Sequence, residues 1–194
     1  MSTLRFNTWQ NTGGTEAATA SEVSAYSFTE PALVFISRTT IGTAVSSVTV
    51  SNAFSADYDT YKIFISGGVG STDINLGVQM GSTTTGYYGG LIYELYNTAA
   101  IAGVGQVSAS RWVYAGQAGS VGLTMDATMM QPYLEKATSI MSIQPRLTTT
   151  AGAGTNSSFS GFLNDAISYT SFTIIPDTGT LTGGTIDVYG YSKS

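Results

Sequence analysis

The chain of 194 residues holds no histidine and no cysteine. Those absences remove the usual base of a serine nucleophile, the thiolate nucleophile, and the common nitrogen and sulfur ligands of zinc, copper and haem. No catalytic residue, metal or cofactor is expected, and the protein reads as a non-enzyme. What remains for chemistry is oxygen. Asp57 and Asp59 bracket Tyr58, and two carboxylates at i and i+2 can share one face and bind calcium. A calcium cage needs more oxygens than this segment supplies, so an Asp-rich turn entering the Tyr61 strand is the plainer reading. Glu94, Asp126, Glu135 and Asp165 are the mid-chain acids from which a glycosidase pair would be drawn. Such a pair must converge across a cleft, and no spacing brings any two of them together. A serine–lysine dyad would need Lys62 or Lys136, and no motif surrounds either. Gly67-Gly68-Val69-Gly70 and Gly103-Val104-Gly105 precede no helix and no Gly-Lys-Ser/Thr, so they read as β-turns rather than phosphate loops.

The aromatic residues carry more. Tyr87, Tyr88, Tyr93, Tyr96, Trp112 and Tyr114 concentrate in the central third of the chain. Exposed rings stack on sugars or fill a partner's pocket, whereas buried ones are core or inter-subunit packing. Tyr87, Tyr88 and Trp112 are the candidate glycan contacts.

These groups need a scaffold, and composition bounds it. Hydrophobic residues make up 42% of the chain, enough for a good core. Charged residues make up only 10%, against roughly 25% in ordinary soluble domains. Hydroxyls, amides and glycine must therefore wet the surface, as in proteins packed into assemblies or facing sugars, and as in plain secreted β-proteins. The net charge is −5 and the few cations are scattered, so no nucleic-acid partner is expected. No apolar run approaches the ~20 residues of a membrane helix, and Met1 to Phe6 form no secretion signal.

Two regions differ in pattern. Residues 1–30 mix the apolar Leu4, Phe6 and Trp9 with turn-like polar stretches and sustain no period. They read as an extended arm that packs on something else, with Leu4, Phe6 and Trp9 as the docking groups. A first strand and loop of the same domain fits them as well. Residues 31–194 read as strands: Ala32 to Ser37, Val45 to Val50, Thr60 to Ser66, and Ile74, Leu76, Val78 and Met80 in clean alternation. Further strands are expected at Leu91–Tyr96, Arg111–Tyr114, Val121–Met125, Met141–Leu147, Phe159–Phe162, Phe172–Ile175 and Ile186–Tyr191. Ala99 to Ala109 reads as loop or a short helical turn. About nine to eleven short strands without a long helix predict an all-β fold, an antiparallel, jelly-roll-like β-sandwich. Its expected core is Phe35, Val48, Val50, Ile63, Ile65, Leu76, Val78, Leu123, Ile143, Phe172, Ile174 and Val188.

Four segments also carry a resemblance: Thr40 to Val50 (TIGTAVSSVTV), Phe54 to Ile63 (FSADYDTYKI), Tyr169 to Ile174 (YTSFTI) and Gly183 to Tyr191 (GGTIDVYGY). In this order the span from Leu33 to Tyr191 resembles a domain common at the C-terminus of tail-fibre and other virion structural proteins of tailed phages, those of marine hosts especially. The resemblance implies a trimer-prone β-sandwich on a virion and no catalytic residue. Long fibres carry long N-terminal shafts, whereas only residues 1–30 precede the strands here. A short fibre, spike or head decoration protein is therefore expected, located on the virion and docked to other capsid or tail proteins through the arm. The alternative is an adhesin reading a host surface glycan through its tyrosines.

Overall fold

Short β-branched and aromatic runs between glycine- and serine-rich turns are too short for helices and pair instead. The computed structural model describes residues 8–10, 16–19, 32–148 and 154–193, and no helix occurs among them. The chain divides into two units, Met1–Pro31 and Ala32–Ser194. In the first, β1 (Thr8–Gln10) and β2 (Glu16–Thr19) pair antiparallel, with Trp9 opposite Ala18. Leu4 and Phe6 lie outside the described residues.

The second unit is all-β. Its strands are β3 (Leu33–Thr40), β4 (Val48–Val50), β5 (Thr60–Gly70), β6 (Ile74–Met80), β7 (Tyr87–Leu95), β8 (Ala100–Ala109) and β9 (Trp112–Gly119), then β10 (Gly122–Met130), β11 (Thr138–Ile143), β12 (Thr155–Leu163), β13 (Phe172–Pro176), β14 (Leu181–Thr182) and β15 (Thr185–Tyr191). Every ladder is antiparallel. One arm of the sheet runs β3-β15-β5-β10-β11-β12-β7-β8, the other β4-β13-β6-β9. The β9–β10 hairpin joins them: β10 pairs β9 at its start and lies between β5 and β11 for the rest.

The core collects one row of side chains from each strand. Tyr61, Ile63 and Ile65 of β5, Leu123 and Met125 of β10, and Ile186 and Val188 of β15 come from the long arm. Val48, Val50, Leu76, Val78, Phe172 and Ile174 come from the short one. Phe54 closes one end, stacked on Phe172 at 5.6 Å and edge-on to Tyr61 at 4.8 Å. Two expected core residues are not there: Phe35 is 52% exposed and Ile143 61%. Phe35 sits on edge strand β3 with its ring outward against Tyr189. Ile143 alternates with Ser142, and it is Ser142 that β11 turns inward.

Two glycine-rich segments differ from expectation for one reason each. Gly67 to Gly70 is strand, not turn, and it continues β5. A side chain at Gly68 would meet the Gly183 carbonyl, and Gly184, at φ +88°, lies against the Gly68 amide. Backbone approaches this close exclude any Cβ. Ala100 to Ala109 is β8 rather than loop or helical turn, paired along β7, and only Ala99 of the expected segment lies in a turn.

Three core tyrosines make the fold sensitive to alkali. Tyr87 is fully buried; it accepts from the Met80 N–H (2.8 Å) and donates to the Thr83 carbonyl (3.1 Å). Burial pushes its hydroxyl up to about 12. Tyr61 and Tyr169 are also raised, chiefly by burial. A raised phenol stabilises the fold fully below its unfolded value of about 10, and that contribution disappears as pH rises through the folded value. Melting temperature is therefore expected to hold from neutrality to about pH 9 and to fall between about pH 10 and 12. Tyr87→Phe should lower the neutral value and flatten the alkaline fall. A flat profile in the unmodified protein would contradict this assignment.

Candidate interaction surface

The outer face of the long arm is built from strand register. One row across the sheet runs Asp126, Ile143, Ser158, Ile92, Gly103; the next runs Thr128, Met141, Ser160, Gly90, Gly105. Large apolar groups stand up from a floor of serine and glycine. Ile92, Ile101 and Val107 are 65%, 77% and 81% exposed, with Ile143, Met141 and Phe162 close behind. Two shallow hollows lie between them. One of about 320 Å³ is lined by Ile92, Ile101, Ile143 and Asn156, and one of about 270 Å³ by Lys62, Asp126 and Met141.

The inner side of the same strands mixes the buried apolar Leu91, Ile140, Phe159 and Leu163 with hydrogen-bonded polar groups. Ser142 donates to the Ala115 carbonyl (2.7 Å), Gln144 Nε2 to the Tyr114 carbonyl (2.6 Å), Ser157 to the Gln144 carbonyl (2.7 Å), and Thr155 to Gln117 Oε1 (2.7 Å). Three of these bonds tie β11, the Gln144 that follows it and β12 to β9, and the Ser157 bond ties β12 to Gln144. They also satisfy groups whose burial would otherwise cost about 1–3 kcal/mol each. β11 turns Thr138, Ile140 and Ser142 inward, with the following Gln144, and leaves Met141 and Ile143 outside, so the usual polarity is reversed at its C-terminal end. Exposed apolar groups set side by side in this way make the face a candidate contact surface.

Charge on this face is sparse and mostly neutralised. Lys62 pairs with Asp126 beside Ile143. Toward β3, Arg38 holds Asp187 with two bonds of 2.7 and 2.8 Å. Those bonds keep the Asp187 carboxyl below the usual carboxylate range. Between the two pairs runs an aromatic ladder: Phe35 to Tyr189 at 5.4 Å and Tyr189 to Phe64 at 5.9 Å, both edge-on.

The residues singled out by sequence fall as follows. Tyr88 is on the surface, its ring stacked on Phe162 at 5.1 Å and 11°. Tyr87 and Trp112 are fully buried and meet edge-on at 5.1 Å. Neither offers a face to a glycan, because each strand start turns inward where the two arms meet. Asp57 is engaged in its own turn, accepting from Ser55 Oγ (2.9 Å), and Asp59 pairs with Lys193 (2.9 Å). Asp165 accepts from the Tyr169 hydroxyl. Among the described residues no three acidic side chains gather as a metal site.

The surface residues Ile92, Ile101 and Val107 escaped sequence reading. Their signal is present: Ile101, Gly103, Gly105 and Val107 alternate with Ala102, Val104 and Gln106. Glycines at half of the outer positions dilute it. Comparison with known proteins yields no match: no family model, no curated protein and no solved structure matches the chain.

Proposed function

We propose that the protein is a non-enzymatic structural component of a tailed-phage particle: a short tail fibre, spike or head decoration protein. It is a β-sandwich that assembles as a homo-oligomer, a trimer in the simplest case, through the outer face of β11, β12, β7 and β8. Residues 1–30 dock the assembly onto other virion proteins. The observation that carries this reading is the end of β11, where Ser142 and the following Gln144 face inward and Met141 and Ile143 stand exposed beside Ile92. A strand of that kind gains from a second surface covering it. The four segments resembling virion proteins and the low charge content support the same reading. Burying Leu4, Phe6 and Trp9 against a partner would contribute several kcal/mol, at about 25 cal/mol per Å².

A second reading, a host-glycan adhesin, draws support from the surface Tyr88–Phe162 stack, a flat aromatic platform suited to a sugar ring. The two are compatible. Deleting residues 1–30 tests the first: the truncated protein should keep its melting transition and its oligomeric state and lose its place on the particle, read by antibody labelling of virions. A truncated protein that unfolds would make those residues part of the domain. One that folds and still joins the particle would move docking to the sheet.

A further inference from the structure

A cavity of about 360 Å³ opens at the end of the core, on the inner side of β7 and away from the Tyr88–Phe162 platform. Its size falls in the range of about 300–1,000 Å³ typical of small-molecule sites. Its wall is mixed in the way such sites are: apolar side chains from β7 and β8, the rings of Tyr93 and Tyr114, and the polar groups of Asn75, Gln117, Thr155 and Arg146. The neutral polar groups are already aligned. Thr155 donates to Gln117 Oε1, and Gln117 Nε2 reaches Asn75 Oδ1 at 3.5 Å. Gln117 and Thr155 are almost fully buried, so their amide and hydroxyl are held in place.

Arg146 stands out among them. Its backbone is fixed by the bond from its N–H to the Thr155 carbonyl (2.8 Å). Its Nε is buried and has no hydrogen-bond partner. Arg38, Lys62 and Lys193 each hold an aspartate. Arg146, like Arg111 and Lys136, has no acidic partner among the described residues, and of these three it is the one that lines the cavity. A guanidinium with a buried, unpaired donor suits a planar carboxylate, which its fork binds by two parallel bonds. The amides and the hydroxyl beside it suit alcohol groups, and the two tyrosines suit the faces of a saturated ring.

We propose that this cavity binds an acidic sugar unit, with the carboxylate on Arg146 and the ring hydroxyls on Asn75, Gln117 and Thr155. The proposal does not depend on the assembly reading, since it concerns the inner side of the sheet and a monomer would retain it.

The test is an NMR titration of the full chain with glucuronate, glucose and benzoate. Glucuronate should bind at least about tenfold more tightly than glucose and shift the side-chain amides of Gln117 and Asn75. Arg146→Gln should weaken glucuronate about tenfold to a hundredfold, the range for hydrogen bonds to a charged group, and leave glucose unchanged. Arg146→Lys keeps the charge without the fork and should fall between. It also serves if the glutamine variant does not fold. Equal affinity for glucuronate and glucose would overturn the proposal. So would binding of benzoate alone, shifts at Tyr88 and Phe162 in place of Gln117, or no glucuronate binding at millimolar concentration.

Discussion

Trp112→Ala is expected to destabilise the fold by about 3–5 kcal/mol, the combined transfer and cavity penalty of a large buried aromatic. In a chain of this size that corresponds to a melting temperature lower by roughly 6–20 °C. The ring is completely buried, packed edge-on against Tyr87 at 5.1 Å, and β12 makes room for it with Gly161. A methyl group at Gly161 would lie 2.9 Å from the indole. The surroundings are thus shaped to this side chain and will collapse poorly around an alanine. Trp112 Nε1 is buried without a partner, so Trp112→Phe removes an unsatisfied donor along with some volume. That variant should cost less than about 2 kcal/mol. Thermal melts of the two variants check the pair. Unchanged melting in Trp112→Ala would place the indole outside the core.

The second large effect is on assembly. Ile92→Lys and Ile143→Lys, made together, are expected to convert the proposed oligomer to monomer and to leave the fold intact. Both side chains are mostly exposed in the protomer and sit on either side of Ser158 in one row. Exposed positions usually tolerate substitution within about 0.5 kcal/mol. Lysine also suits Ile143, whose cross-strand neighbour is Asp126. At an interface each isoleucine would forfeit about 1.5–3 kcal/mol of burial and bring an unpaired charge with it, so dissociation should weaken the complex more than a hundredfold. Circular dichroism and sedimentation on the same sample separate the outcomes. A variant that stays oligomeric moves the interface elsewhere.

Sequence reading recovered the strands whose two faces differ sharply. Ile74, Leu76, Val78 and Met80 alternate with small or polar residues and are all buried, as are Ile63 and Ile65. It failed where the polarity reverses at the end of β11. Met141 and Ile143 look like a core row, but the hydrogen bonds that let Ser142 and Gln144 face inward depend on β9, a strand nearly thirty positions away along the chain. No local pattern carries that information. The aromatic cluster misled for a related reason. Tyr87 and Tyr88 are adjacent on one strand and therefore point to opposite faces, so only one of them reaches the surface. The cavity at Arg146 was invisible because its polar groups come from β6, β9, β12 and the segment after β11, which only the sheet order brings together.

The mass of the unmodified protein in solution, by sedimentation equilibrium at micromolar concentration, tests the assembly through this face most directly. The expected result is three times the 20.2 kDa of the single chain. A species of 20.2 kDa that persists to hundreds of micromolar, its outer sheet face still open to water, would contradict it.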